Sequence, residues 1–252
     1  MRKTLPFKIL PQPTETTCGP TCLHAIYAYY KDKTNLKKII NQIPSLENGG
    51  TLAVMLGCHA LKRGYKAKIY TYNLHLFDPT WFIHPDIDLS AFLEAQKREK
   101  RNQKLRQASE SYIEFLKLGG KILFEDLNPQ LLINYLKKDI PILTGLSATY
   151  LYRSAREMPE SNEYNSIAGE PSGHFVVISG HDRKTQNLLV ADPFQLNPFA
   201  GSHYYWVDIN RVVSSILLGI VSYDANFLVI EPDKPEPKAS SLGKKRKSSS
   251  VR

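Results

Sequence analysis

The chain changes character once along its length. From Cys18 to Arg63 apolar residues recur at helical spacing, whereas from Asp139 onward they gather into short runs of strand length. Helices first and strands later argue for an α+β domain rather than an alternating α/β fold. Two of the apolar runs, His174–Ser179 and Leu188–Asp192, are joined by the polar stretch His181–Asn187 and read as an antiparallel hairpin.

Around that hairpin the remaining elements fall into order. A buried first helix is predicted over Cys18–Tyr30, with Thr16 or Thr17 as its cap and Pro20 tolerated in its first turn. A short basic helix follows over Leu36–Gln42. A third runs from Leu52 to Arg63, ended by Gly64, and the strand Lys66–Tyr72 comes next. Residues 78–120 read as a solvated helical insertion, dense in charge between Gln96 and Arg106. Asn128–Lys138 is a predicted helix burying Leu131, Leu132, Tyr135 and Leu136, and a strand lies within Asp139–Leu146. A polar loop spans 153–172, and a further strand pair is expected near Tyr204–Val207 and Phe227–Ile230.

Composition limits the function classes. Of the formal charge of +9, residues 233–252 supply +5, so 1–232 is a nearly balanced domain followed by a basic, disordered tail. A basic tail alone is a weak nucleic-acid signal. The charged insertion lacks the interleaved aromatics of a stacking platform, so nucleic acid is not an expected partner. No apolar run approaches a membrane span. Lys8 and two prolines interrupt the start of the chain, so no export signal is expected and a cytoplasmic location is. Three cysteines (Cys18, Cys22, Cys58) make no even disulfide framework and read as free thiols. Neither these nor His24 and His59 have zinc-site spacing, and no metal or cofactor is expected.

Four residues carry the chemistry. Cys18 stands at a helix start, where unsatisfied N–H groups favour an anion. Cys22 and Cys58 lie inside helices and read as small buried hydrophobes. His174 begins an apolar strand, and the hairpin returns Asp192 to the same open end. There a carboxylate can hold one ring nitrogen and turn the other to the thiol. His181 lies at the wrong end for this. Gln12, six residues before Cys18, can offer a side-chain N–H to an oxyanion together with the Cys18 backbone N–H.

Gln12, then Cys18-Gly19-Pro20, then a helix running into Tyr29-Tyr30 resemble the opening of papain-like cysteine peptidases. The nearest likeness is to the bacteriocin-processing (double-glycine leader) peptidase family and its stand-alone relatives. Gly50-Thr51-Leu52, Ala60–Gly64, Pro141-Ile-Leu, Gly173-His174-Phe-Val-Val and Val190-Ala-Asp192-Pro193 extend the resemblance over about 11–77 and 127–194. It implies a papain-like fold, N-terminal helices packed on a C-terminal antiparallel sheet. It also implies Cys18 as nucleophile, His174 as base, Asp192 as orienter and Gln12 as oxyanion donor. The chain departs from the pattern at Thr17, where many members carry Asp. Segments 78–120 and 153–172 look like insertions, and no transporter module follows, so the hydrolytic machinery carries over better than the double-glycine substrate.

The expected function is therefore a cysteine hydrolase that cleaves a peptide or amide bond of a peptide or protein substrate through an acyl-thioester on Cys18. A deamidase, isopeptidase or acyltransferase would use the same residues. A non-catalytic peptide-binding module is the third possibility.

Overall fold

The computed structural model describes residues 2–46, 49–84, 86–161, 163–199 and 201–233. Of the tail expected from residue 233, all but Asp233 lies outside the described residues. Among those described, eight strands form one sheet: β1 (Arg2–Thr4), β2 (Tyr65–Thr71), β3 (Lys121–Leu123), β4 (Ile142–Ser147), β5 (Gly173–Asp182), β6 (Asn187–Ala191), β7 (Tyr204–Asp208) and β8 (Asn226–Pro232). Their spatial order is β3-β2-β8-β4-β5-β6-β7, with β1 paired to the far half of β5. The helices are α1 (Cys18–Tyr29), α2 (Leu36–Gln42), α3 (Ala53–Lys62), α4 (Leu89–Glu99), α5 (Gln103–Lys117), α6 (Pro129–Lys137), α7 (Ala148–Tyr152) and α8 (Ile209–Leu218).

Every residue of β4 is buried, as are the eight central residues of β5, so both sides of the sheet centre are covered. α1 packs on β5 and α3 on β2 and β8, with α2 and α5 alongside them; α6 and α8 also pack on the sheet, and α7 lies against α8. Burying each Leu, Ile, Val or Phe here contributes about 1.5–3 kcal/mol. Short polar side chains set many of the helix starts. Asn35 caps α2, Asn128 caps α6 ahead of Pro129, and Asp208 caps α8 through its carboxylate; each such cap stabilises by about 1 kcal/mol.

This is the expected α+β, papain-like architecture, with three differences of detail. The sheet is not wholly antiparallel or C-terminal, because β1, β2 and β3 join it and β2 pairs β3 in parallel. β3 has three residues, too few to show a period. The strands near Tyr204 and Phe227 are not a pair: β7 adds to β6, while β8 inserts between β2 and β4. Both are apolar and aromatic, so periodicity cannot say which neighbour each takes.

The charged segment is not simply solvated. α4 and α5 keep their charges outward but bury Leu93, Leu105, Ala108, Tyr112, Ile113 and Phe115, and α5 packs on α3. On α6 the buried positions are Leu132, Ile133 and Leu136, while Leu131 and Tyr135 are half-buried. No helix among the described residues is long and apolar enough to cross a membrane.

Candidate active site

The site forms where α1 begins against the start of β5. Thr14–Thr17 make a tight turn in which the Thr17 hydroxyl donates to Thr14 O at 2.9 Å and accepts from Thr14 N–H at 3.0 Å. With that hydroxyl engaged, no side chain caps α1, contrary to the capping role expected of Thr16 or Thr17. Cys18 is the first residue of the helix. Gly19 lets the helix start settle onto its neighbours: a Cβ there would lie 2.7 Å from Thr51 Cγ2 and 3.2 Å from the Phe175 ring. The first is closer than real Cβ atoms come, and the second is tighter than most real Cβ contacts.

His174 is the second residue of β5 and Asp192 immediately follows β6. The hairpin register, Val177 opposite Ala191, returns Asp192 to the end where His174 stands. His174 Nε2 meets Asp192 Oδ1 at 2.8 Å, and the Cys18 thiol is near enough to interact with the imidazole. With Nε2 held by the carboxylate, Nδ1 is the ring nitrogen left for sulfur. Cys18 and His174 are 9% and 8% exposed and Asp192 is fully buried.

Asp192 has more partners than the sequence foretold. Oδ1 also accepts Phe194 N–H at 2.8 Å, and Oδ2 accepts the hydroxyls of Tyr152 at 2.7 Å and Tyr205 at 2.5 Å. The backbone of Asp192 is clasped by His203: its N–H donates to His203 O, and its carbonyl lies 2.7 Å from His203 Nδ1. Neither tyrosine was foreseen. Tyr205 lies on a predicted strand next to the hairpin, the one signal available. Tyr152 ends a five-residue helix with no periodicity to read.

The electrostatics follow from these contacts. Burial alone pushes the His174 imidazole down, but the Asp192 charge and hydrogen bond, joined by the Cys18 contact, outweigh it and push it up to about 10. Burial pushes the Asp192 carboxyl up, yet the His174 charge and the donors His174, Tyr205 and Tyr152 hold it below its ordinary value. Burial raises the Cys22 thiol well above the ordinary range, helped by Cys18 and Asp192, and raises Cys58 to about 12. Those two thiols are held protonated, whereas Cys18 alone meets an imidazole. All three cysteines are free.

Gln12 sits beside this group. Its backbone N–H donates to Pro193 O at 2.9 Å, tying it to the residue after Asp192. Its side-chain amide donates to Thr14 O at 3.1 Å and Glu15 O at 3.4 Å, while Oε1 is buried without a partner among the described residues. Of the four expected site residues, His174 and Asp192 are in direct contact, Cys18 interacts with the His174 imidazole, and Gln12 is joined to them through the Asp192–Pro193 turn. Among the described residues no three His, Cys, Asp or Glu side chains form a group able to hold a metal ion.

A thiol at a helix start facing an imidazole on a neighbouring strand, the imidazole backed by a carboxylate, defines the papain-like class of cysteine peptidases. Residues 110–215 match the Peptidase_C39 like family, and the protein is a cysteine peptidase. The matched segment contains His174 and Asp192; Cys18 and Gln12 precede it. The match does not favour the deamidase, isopeptidase or acyltransferase alternatives. No curated protein matches the chain.

Among solved structures the chain is similar to a double glycine motif protease from an AMS/PCAT transporter, in complex with the leader peptide. The identity is 14%, the coverage 91% of this chain and 94% of that one, and the TM-score 0.44. It is likewise similar to the peptidase domain of Streptococcus ComA, at 14% identity, 89% and 98% coverage and TM-score 0.41. A third is xylellain, a cysteine protease from Xylella fastidiosa, at 14% identity, 92% and 86% coverage and TM-score 0.43.

Proposed function

We propose that this cysteine peptidase cleaves its substrate through a covalent thioester on Cys18, with His174 as general base and acid, Asp192 as the group that orients His174, and Gln12 as an oxyanion donor. The observation that carries the proposal is the His174–Asp192 contact with the imidazole's other nitrogen left for Cys18.

His174 Nδ1 takes the Cys18 proton, and the thiolate attacks the carbonyl carbon of the scissile bond. The oxyanion is met by the Cys18 N–H at the uncapped helix start and by Gln12 Nε2, which leaves its loop carbonyls to do so. His174 returns the proton to the leaving amine as the C–N bond breaks. It then takes a proton from the water that opens the thioester, releasing the acid and restoring the thiol.

The substrate is a peptide or protein. An open, mostly apolar hollow of about 280 Å³ is lined by Ser147, Tyr150, Arg153, Pro171, Leu218 and Val221. It is suited to a large apolar side chain. Three free thiols favour a reducing compartment, the cytoplasm.

The test is turnover of a diverse synthetic peptide mixture followed by mass spectrometry. The wild-type protein is expected to generate new termini and Cys18→Ala to generate none. Equal cleavage by the two proteins would end the proposal. A gain of about one dalton without chain cleavage would mean deamidation instead.

A further inference from the structure

We propose that Tyr152 and Tyr205 are positioning residues of the reaction: together they fix the Asp192 carboxylate as an anion and through it keep the imidazole of His174 turned and charged toward Cys18. The proposal rests on the assignment of Cys18 and His174 above.

Asp192 is fully buried, and an ionised carboxylate without water needs a donor at each lone pair it exposes. Oδ1 is served by the reacting imidazole and by Phe194 N–H. Oδ2 is served by two phenols, from the end of α7 and from β7, at 2.7 and 2.5 Å. His174 is the cation paired with this carboxylate. The phenols therefore satisfy the carboxylate oxygen that the imidazolium does not reach.

Both hydroxyls are held as donors. Burial first, and then the Asp192 charge, raise both phenols far above their ordinary value, so neither ionises in the working range. Their rings are fixed by packing. Tyr205 stacks on Phe199 with centroids 4.3 Å apart, and Tyr152 lies against Phe194, Phe199 and the His174 ring itself. Two elements remote in sequence thus converge on one oxygen, which a merely space-filling pair of rings would not need to do.

Without the hydroxyls the proton on His174 Nε2 moves to Asp192 Oδ1, leaving a neutral acid beside a neutral imidazole. Net charge is unchanged, but the imidazolium that pairs with the Cys18 thiolate is lost.

The experiment needs no substrate. Wild type, Tyr152→Phe, Tyr205→Phe and the double variant are treated with iodoacetamide between pH 4.5 and 9, and the modified cysteine is located by mass spectrometry. Wild-type Cys18 is expected to react well below pH 7. Each single variant is expected to move that onset upward by about one pH unit, the double variant further, in line with losing a hydrogen bond to a charged group.

Phe keeps the ring packing, and circular dichroism checks the fold. If one single variant does not fold, the other tests the same oxygen. An onset that stays in place in folded variants overturns the role of the tyrosines while leaving the nucleophile intact. A wild-type Cys18 inert below pH 7 overturns the Cys18–His174 assignment, and the tyrosine role with it.

Discussion

The two ends of β5 each carry a buried histidine, and they behave oppositely. His174 at one end has Asp192 against Nε2 and is pushed up to about 10. His181 at the other end is 3% exposed, neither ring nitrogen has a partner among the described residues, and burial, with Arg183, Lys137 and Lys3 nearby, holds it below its ordinary value. Strand, residue type and degree of burial are nearly the same. Burial by itself disfavours the imidazolium at both ends, and a single carboxylate reverses the sign at one of them. A histidine's position in a strand therefore says little about its chemistry until its partner is found.

The largest effect should separate the two ends outright. His174→Ala is expected to lower peptide hydrolysis at pH 7 by about 10²–10⁴-fold, the usual contribution of a general base, while His181→Ala leaves kcat/KM within a few-fold. Steady-state rates on one cleaved peptide decide it; equal losses would break the comparison. Asp192→Asn should follow, with a loss on the order of 10²-fold or more, since the amide cannot stabilise an imidazolium.

The same variant reports the pair through stability. His174 is raised in the fold, so its contribution is present below the unfolded value near 6.5 and fades as pH rises toward 10. Asp192 is depressed, so its contribution is present above about 3.8. Urea unfolding should thus show the largest gap between wild type and Asp192→Asn near pH 5, shrinking steadily above pH 7.

Much of this comparison is legible in the sequence itself. The hairpin turn at Asp182–Asn187 fixes which end Asp192 returns to, and period and polarity alone reveal it. α2 matches its expected bounds residue for residue because Asn35 caps it and Ile43 is already extended. The donors on Asp192 Oδ2 were hidden, because Tyr152 and Tyr205 meet it only through tertiary packing. α8 was missed because Ile209–Leu218 is rich in β-branched residues, which suit a strand as well as a helix. The Thr17 cap was expected on residue type, but a local turn claims its hydroxyl first.

A second buried carboxyl near His174 sharpens the lesson in the other direction. Asp224 lies over the side-chain-free positions of Gly145 and Gly173, where a Cβ would fall 2.7 Å from one of its oxygens in each case. Its hydrogen bond to the Ser222 hydroxyl is 2.9 Å. Burial pushes it up to about 7, with Ser222, Lys104 and His174 pulling only weakly the other way. Here the folded state binds the proton more tightly than the unfolded state. Stability should fall as pH rises from about 4 to 7, and the cost remains above that. Asp224→Asn removes the titration while keeping a side chain of the same shape. The variant is expected to gain roughly 1–3 kcal/mol over wild type between pH 5 and pH 8 in urea unfolding. A gap that does not change with pH would mean that this carboxyl ionises freely despite its burial.

The smallest effect belongs to His181. Its folded value is depressed, so between that value and about 6.5 the unfolded chain binds a proton that the fold does not. Stability is fully present above pH 6.5 and lost as pH falls through the folded value. The strand pairings of His181 with Lys3 and Leu188 run through backbone groups and do not need its ring. His181→Leu keeps most of the volume and removes two unpartnered polar atoms. It should stabilise by about 1 kcal/mol at pH 7.5 and by more at pH 5. Thermal melts of both proteins across that range measure the slope. If the two curves stay parallel, burial alone does not depress this imidazole, and the contrast between the two ends of β5 must be assigned wholly to the carboxylate at the other end.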